Sequence, residues 1–326
     1  MKFYINTSTD AAFNLALEEL LGSTADTFTV MLWQNANAVI IGRNQNAIQE
    51  INSSFIKENN IQVVKRLTGG GAVYHDLGNI NYTIIRQGKY LANEDFAPNA
   101  KFIIDALNKL GVPAEFSGRN DILAYGKKIS GSARSYINNN TLFHGTLLFD
   151  ANMDILSNAL ACDPAKMVSK GIKSVRSRVG NLKELSFPNL STKEFLPIFA
   201  KSIKESFENV EELAIPQDLI IQAEKLANER YRTWEWNFGS NWKYDVENSK
   251  RFNAGRVSVF YSVENNKISS VVFKGDFFGS QNVEILQQQL IGTPFNFDAI
   301  AQKLNDINLN LYIENISPNE LAELFG

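Results

Sequence analysis

One cysteine and two histidines in 326 residues constrain this chain more than any other feature. A structural zinc site needs four Cys or His ligands at tight spacing, and Cys162, His75 and His144 are too few to supply them. A disulfide framework is excluded as well, which points to a reducing, cytoplasmic setting. The fold must therefore rest on apolar burial. A chain of this length can bury about 75% of its unfolded surface without cross-links, and about 150 residues per domain makes two domains the starting expectation. The same scarcity narrows the chemistry. A thiol nucleophile would have to be Cys162, and a Ser–His–Asp triad would have to draw on one of the two imidazoles.

Charge adds a weaker constraint. Lys and Arg number 32 against 35 Asp and Glu, a balance that argues against bulk nucleic-acid binding but leaves a local basic patch open. No apolar run approaches the roughly 18 residues of a membrane helix. The segment from Met1 to Asn6 lacks the apolar centre of a signal peptide. The expectation is a cytoplasmic protein with neither nucleic acid nor membrane as partner.

Periodicity predicts a helix over Asp10 to Leu21, strands over Phe28 to Trp33 and Val39 to Gly42, a short helix over Ser53 to Asn59, and a strand over Gln62 to Leu67. A strand over Asn81 to Arg86 and an amphipathic helix over Asn99 to Leu110 follow. Three strands come next, over Ile122 to Tyr125, Lys128 to Tyr136 and Thr141 to Phe149, then helices over Thr192 to Phe207 and Pro216 to Tyr231. Helices and strands mix without regular βαβ alternation. The fold class is thus α+β, with a mixed, mostly antiparallel sheet flanked by helices. The polar stretch Ser240 to Arg251 reads as a linker. A hairpin over Arg256 to Val263 and Lys267 to Lys274 and three short helices complete a small α+β C-terminal accessory domain. The expected division is residues 1–245 and 246–326.

Four segments carry chemistry. In the run Lys65 to Asn79, three glycines, Gly69 to Gly71, follow Arg66 between two strands. They form either a bend or a loop whose backbone a ligand can approach closely. No Lys-Ser/Thr follows, so this is not a phosphate-binding loop of the Walker type, and the spacing is wrong for a dinucleotide fingerprint. The second segment runs from Ser117 to Asp121 and on through Gly126 to Ala133. Neighbouring strand residues face opposite ways, so only one of Lys127 and Lys128 can enter a site; the alternative is an exposed pair on an edge strand. The third is Phe143 to Leu148 with His144, where a structural histidine is the plainer reading. The fourth, Lys170 to Leu182, holds four cations and is either a solvated loop or a flap over an anion.

Taken together, Arg66 to Asn79, Gly118 to Asp121, Lys128 to Ala133, His144 to Leu148, Lys170 to Leu182 and Trp236 to Gly239 resemble, in order, the segments of a two-domain lipoate–protein ligase. That family belongs to the biotin/lipoate protein ligase superfamily. The Gly-Arg-Gly-Arg loop of biotin ligases is absent, and Thr68 keeps the hydroxyl common before the glycines. The resemblance implies a two-step reaction. Lipoate and ATP, with Mg²⁺, give lipoyl-AMP and pyrophosphate. A lysine of a lipoyl carrier, either the glycine-cleavage H protein or an acyltransferase subunit of a 2-oxo acid dehydrogenase, then takes the acyl group.

It also implies roles. Lys128 is the catalytic residue, bridging the lipoyl carbonyl and the α-phosphate, with Lys127 outward. The nucleotide side comprises Arg66, Gly71, Ala72, Val73, Tyr74, Lys128, Lys170, Ser174 and Arg176. The lipoate side comprises Arg66, Gly70, His75, Lys128 and His144, with Trp33, Val73, Tyr74 and Tyr82 offered for the apolar tunnel. No resident metal ligands are expected. Two alternatives remain: an ATP-independent acyltransferase using Cys162, which lies at a helix end where cysteines are usually inert, and a non-catalytic binding protein on the same scaffold.

Overall fold

The computed structural model describes residues 1–88, 96–118, 120–160, 178–239 and 245–325. Its strands are β1 (Lys2–Ile5), β2 (Thr29–Trp33), β3 (Ala38–Ile41), β4 (Gln62–Lys65), β5 (Val73–His75), β6 (Asn79–Gln87), β7 (Ala114–Ser117), β8 (Asp121–Ala124), β9 (Lys127–Ile137), β10 (Asn140–Leu148) and β11 (Glu211–Leu213), followed by β12 (Val246–Phe252), β13 (Gly255–Glu264) and β14 (Lys267–Gly275).

The main sheet has eight strands in the order β11-β1-β2-β6-β10-β9-β8-β7. Only β11–β1 and β1–β2 pair in parallel; the other neighbours are antiparallel. The period-2 alternation of strand side chains sorts its residues into two layers. Phe3, Val30, Leu32 and Ile84 face the helices Ala97–Lys109 and Thr192–Lys204. Tyr4, Met31, Trp33 and Ile85 face the helices Ala11–Thr24 and Gln217–Leu226. The central strand β6 is buried over its first seven residues because both faces are covered. A smaller sheet, β4-β3-β5, carries the glycine run between β4 and β5.

Local chemistry sets the boundaries. Asp10 caps the first helix by accepting from Ala12 N and Phe13 N. Asn138 and Asn139, at φ 44° and 65°, turn β9 into β10, and Asn265 and Asn266 do the same between β13 and β14; Asn tolerates the left-handed region that tight hairpin turns require. The helix expected to run from Pro216 to Tyr231 is α-helical over Gln217–Leu226 and continues as a π-turn over Ala227–Tyr231.

One expectation is overturned. The second half of the segment read as a linker, from Val246 to Arg251, belongs to strand β12 (Val246–Phe252), paired with β13 along its length. It is an edge strand whose side chains mostly meet water, so its polarity reflects exposure and not irregular backbone.

The sheet β12-β13-β14 packs against the helices Val283–Leu290, Phe297–Asn305 and Pro318–Ala322 around a separate apolar cluster. Among the contacts that tie this C-terminal unit to the larger one are two with the main sheet and its covering helix. Phe278 joins the larger core and stacks at a tilt on Phe96, with ring centroids 5.6 Å apart. Arg134 on β9 pairs with Glu314 at 3.4 Å, both nearly fully buried, and its guanidinium lies 4.1 Å from the Phe96 ring centroid.

Candidate active site

A cavity of about 180 Å³ opens between the glycine run, β9 and β10. Arg66, Gly70, Gly71, Ala72, Val73, His75, Lys128 and His144 all line it, so the smaller sheet and the main sheet bring most of the separate sequence segments to one place.

Each glycine of the run has its own reason. Gly70 sits at φ +89°, and a Cβ there would lie 2.8 Å from the Phe278 ring; its N–H donates to Phe277 O at 3.3 Å. Gly69 likewise abuts the Phe277–Phe278 backbone. Around Gly71 nothing lies within 4 Å of a Cβ position, so that residue faces open cavity. Two glycines therefore serve close chain packing and one leaves room for a ligand.

Arg66 holds this loop. It is buried and donates from Nε to Thr68 Oγ1 (2.9 Å), from Nη1 to Ile40 O (3.1 Å), and from Nη2 to Gly69 O (2.6 Å) and Gly71 O (2.9 Å). A guanidinium has five N–H groups, so most are occupied by the protein itself. The C=O and N–H of one peptide point opposite ways. Turning the Gly71 carbonyl to the guanidinium thus aims the Ala72 N–H to the other side, and Ala72 lines the cavity. Burial holds the Arg66 pKa at about 10, still protonated at neutral pH.

The two histidines are held differently. His144 Nδ1 donates to the Glu18 carboxylate at 2.9 Å, and its Nε2 lies 2.8 Å from Thr68 Oγ1. Glu18 also accepts from Thr83 Oγ1 at 2.6 Å, and Thr83 accepts from Trp33 Nε1 at 2.9 Å. A continuous buried chain thus runs from Trp33 to Arg66. His75 depends on three amides. Asn14 donates to the carbonyls of Ser8 and Gln34, which fixes its flip. It also donates to Asn35 Oδ1, which turns the Asn35 NH₂ towards His75 Nδ1 at 3.0 Å. The neutral imidazole therefore carries its proton on Nε2. That nitrogen is buried with no partner among the described residues. Burial first, then Arg66 and His144, push its pKa down to about 3. His75 is thus held as a neutral imidazole with an Nε2–H that has no acceptor among the described residues.

Lys128 enters from β9, where Nζ lies 2.7 Å from Asp121 Oδ1, each about one-third exposed. The register shifts here, with Ile122 opposite Ser130 and Leu123 opposite Lys128. The bulge lets Lys128 fold over Gly131, whose missing Cβ would lie 3.0 Å from Nζ. Lys127 is not among the lining residues; its aliphatic stem packs on Gly180.

Two residues expected at the cavity lie elsewhere. On β5 alternation sends Val73 and His75 inward and Tyr74 to the opposite face, where its hydroxyl donates to Asn37 Oδ1 at 3.0 Å. Tyr82 is fully buried beneath Gly145 and bonds Ser130 Oγ at 2.9 Å. Trp33 and Val73 do line the cavity. Lys170, Ser174, Arg176, Cys162 and Arg119 lie outside the described residues. Sequence reasoning missed Leu15, Ile40 and Asn81 as wall residues, Glu18 and Asn35 as partners of the histidines, and Phe278, which the C-terminal unit contributes. A carboxylate at position 18 and an amide at position 14, on the otherwise apolar inner side of a helix, were the available signal.

The model of the lipoyl protein ligase A/B catalytic domain matches residues 10–204, and that of the bacterial lipoate protein ligase C-terminus matches residues 241–325. Lipoate–protein ligase 1 of Staphylococcus aureus is 40% identical over 329 aligned residues, spanning 100% of both chains. The chain belongs to the lipoate–protein ligase family. Among solved relatives of this ligase, P. falciparum LipL1 in complex with lipoate has a TM-score of 0.78 at 27% identity, covering 94% of this chain and 95% of that one. Lipoate-protein ligase A bound with ATP has a TM-score of 0.62 at 27% identity, covering 73% of this chain and 99% of that one.

Proposed function

We propose that this ligase adenylates lipoate with ATP and passes the acyl group to a carrier lysine, with Lys128 as the catalytic residue. The observation that carries the reading is the meeting of Lys128, the Gly71–Ala72 edge and the His75 Nε2 donor in one cavity. In the first step a lipoate carboxylate oxygen attacks the α-phosphorus, the bond to the β-phosphate breaks, and pyrophosphate leaves. In the second, a carrier amine attacks the carbonyl carbon, the bond to AMP breaks, and the amine gives up a proton. Both steps build charge on oxygen. An ammonium and backbone donors aimed at that oxygen lower both barriers without a protein nucleophile. Lys128 supplies the charge, Ala72 N–H and His75 Nε2–H the neutral donors, and the Glu18–His144–Thr68–Arg66 chain keeps the loop in place.

The apolar part of the cavity, with Trp33, Val73, Leu15, Ile40 and Phe278, suits an aliphatic tail. Lys170, Ser174 and Arg176, which lie outside the described residues, are assigned to the nucleotide side on sequence resemblance alone. No group of three His, Cys, Asp or Glu side chains poised for a metal occurs among the described residues. Mg²⁺ would be held largely by the ATP phosphates and water, with Asp121 the neighbouring carboxylate, and would neutralise phosphate charge. Residues 1–245 form the catalytic domain and 246–326 an accessory domain. The acceptors are lipoyl carriers, the glycine-cleavage H protein or 2-oxo acid dehydrogenase acyltransferase subunits. The setting is the cytoplasm; no described helix is long and apolar enough to cross a membrane.

The test is lipoate-dependent exchange of labelled pyrophosphate into ATP. Lys128→Ala abolishes exchange, while Lys127→Ala and Cys162→Ala retain it. Acyl transfer through a thioester with no exchange would replace this reading with the cysteine transferase.

A further inference from the structure

A second and larger cavity, of about 600 Å³, lies behind the glycine run, between the smaller sheet and the C-terminal unit. Arg43 and Lys65 line it from one side and Lys274 from the other. Lys65 is only 7% exposed, and its ammonium meets no acceptor among the described residues; its backbone alone is engaged, by Asn237 Oδ1 and Trp236 Nε1. Burial, then the neighbouring Lys274, push the Lys65 pKa down to about 8, and burial lowers Lys274 and Arg43 as well. Glu235 and Glu284 reach the same cavity without forming an ion pair with these three cations; the Glu284 charge acts on Arg43 and Lys274 through space and partly offsets their burial, while its carboxylate accepts from Asn282 at 3.0 Å.

Three cations that form no ion pair among the described residues and face one cavity are unfavourable unless an anion joins them. Neutral donors are also in place. Gln287, itself buried, accepts from Phe273 N–H at 3.0 Å through Oε1, which leaves its NH₂ for another partner, and it lines the cavity. The helix Val283–Leu290 begins at the same wall and adds the positive end of its dipole.

We propose that this cavity is a binding site for a phosphate-bearing small anion, held by Lys65, Lys274 and Arg43, that clamps the C-terminal unit onto the glycine run. The connection is direct in the chain. Lys65 precedes Arg66, which holds the glycine carbonyls, and Lys274 stands four residues before Phe278, which packs on Gly70. An anion spanning the two lysines fixes both walls of the acyl cavity at once.

Thermal unfolding of the full chain with inorganic phosphate, in chloride-matched buffer, tests the site. The parent is expected to gain about 4 °C at a hundredfold excess over the dissociation constant. Lys65→Gln and Lys274→Gln each lose at least half of that gain, and without phosphate both are as stable as the parent or more so. Lys128→Ala keeps the full gain, which separates this cavity from the proposed nucleotide site. Pyrophosphate acting at tenfold lower concentration than phosphate identifies a diphosphate ligand; an equal concentration dependence identifies a single phosphate group. No gain in the parent, an undiminished gain in Lys65→Gln, or a gain lost only in Lys128→Ala overturns the proposal.

Discussion

Acidification probes the wiring of His75 directly. Its imidazole is enclosed, with Asn35 donating to Nδ1, and its pKa is held at about 3 by burial and by Arg66 and His144. In the unfolded chain the same group titrates near 6.5. Below pH 6.5 the unfolded chain takes up a proton that the folded chain refuses. Stability present at neutral pH is therefore lost as the pH falls from about 6.5 towards 3. The loss attributable to this group is about 2 kcal/mol at pH 5, and the full interval corresponds to about 5 kcal/mol. Urea unfolding at pH 7.5 and pH 5 measures it, with His75→Gln as the comparison that removes this proton and leaves the others. The parent should lose about 2 kcal/mol more than the variant over that range. Because the chain has two histidines, its proton NMR spectrum holds two imidazole Cε1–H signals, and the one missing in His75→Gln should stay at its neutral position down to pH 5. Asn35→Asp places a carboxylate against Nδ1 and should shrink the loss by favouring the imidazolium. A His75 signal that titrates near 6.5 in the folded protein, or equal losses in parent and His75→Gln, would refute the argument.

Three further outcomes follow from close contacts. Gly145→Ala sets a methyl against the Tyr82 phenol, with Cε2 at 2.9 Å; overpacking at a buried, hydrogen-bonded ring should destabilise by about 1–3 kcal/mol in urea titrations. Gly131→Ala crowds the flexible end of Lys128, Nζ at 3.0 Å and Cε at 3.1 Å, and meets Asp121 Oδ1 at an ordinary 3.8 Å. The fold should survive while pyrophosphate exchange falls roughly 10- to 100-fold through misplacement of the ammonium. Glu314→Gln leaves the Arg134 guanidinium buried without its carboxylate and should reduce stability by about 3 kcal/mol, read by denaturant unfolding.

Local signals were legible in the sequence wherever a residue acts through its own backbone. The Asp10 cap, the Asn138-Asn139 turn and the paired strands β9 and β10 follow from short-range preferences, and the structure places them within a few residues of expectation. Alternation along β9 also separated Lys128 from Lys127, because a strand turns successive side chains to opposite faces. The same rule, applied to Val73, Tyr74 and His75, places Tyr74 on the face opposite the cavity. Val246–Phe252 misled for a different reason. Edge-strand polarity and linker polarity look alike until pairing with β13 is visible.

The sequence by itself determined that no four-ligand Cys/His zinc site and no disulfide framework could hold this protein, that the glycine run after an arginine was either a bend or a loop open to close approach, and that the large and small units were α+β. Only the tertiary structure decided why Arg66 is buried, which nitrogen of His75 carries the proton, and that Phe278 from the C-terminal unit helps to wall the cavity beside the glycine run. The physical reason is range. Caps, turns and strand alternation depend on residues a few positions apart. By contrast, the Glu18–His144 pair joins residues 126 positions apart and exists only once the first helix and β10 have packed on one another.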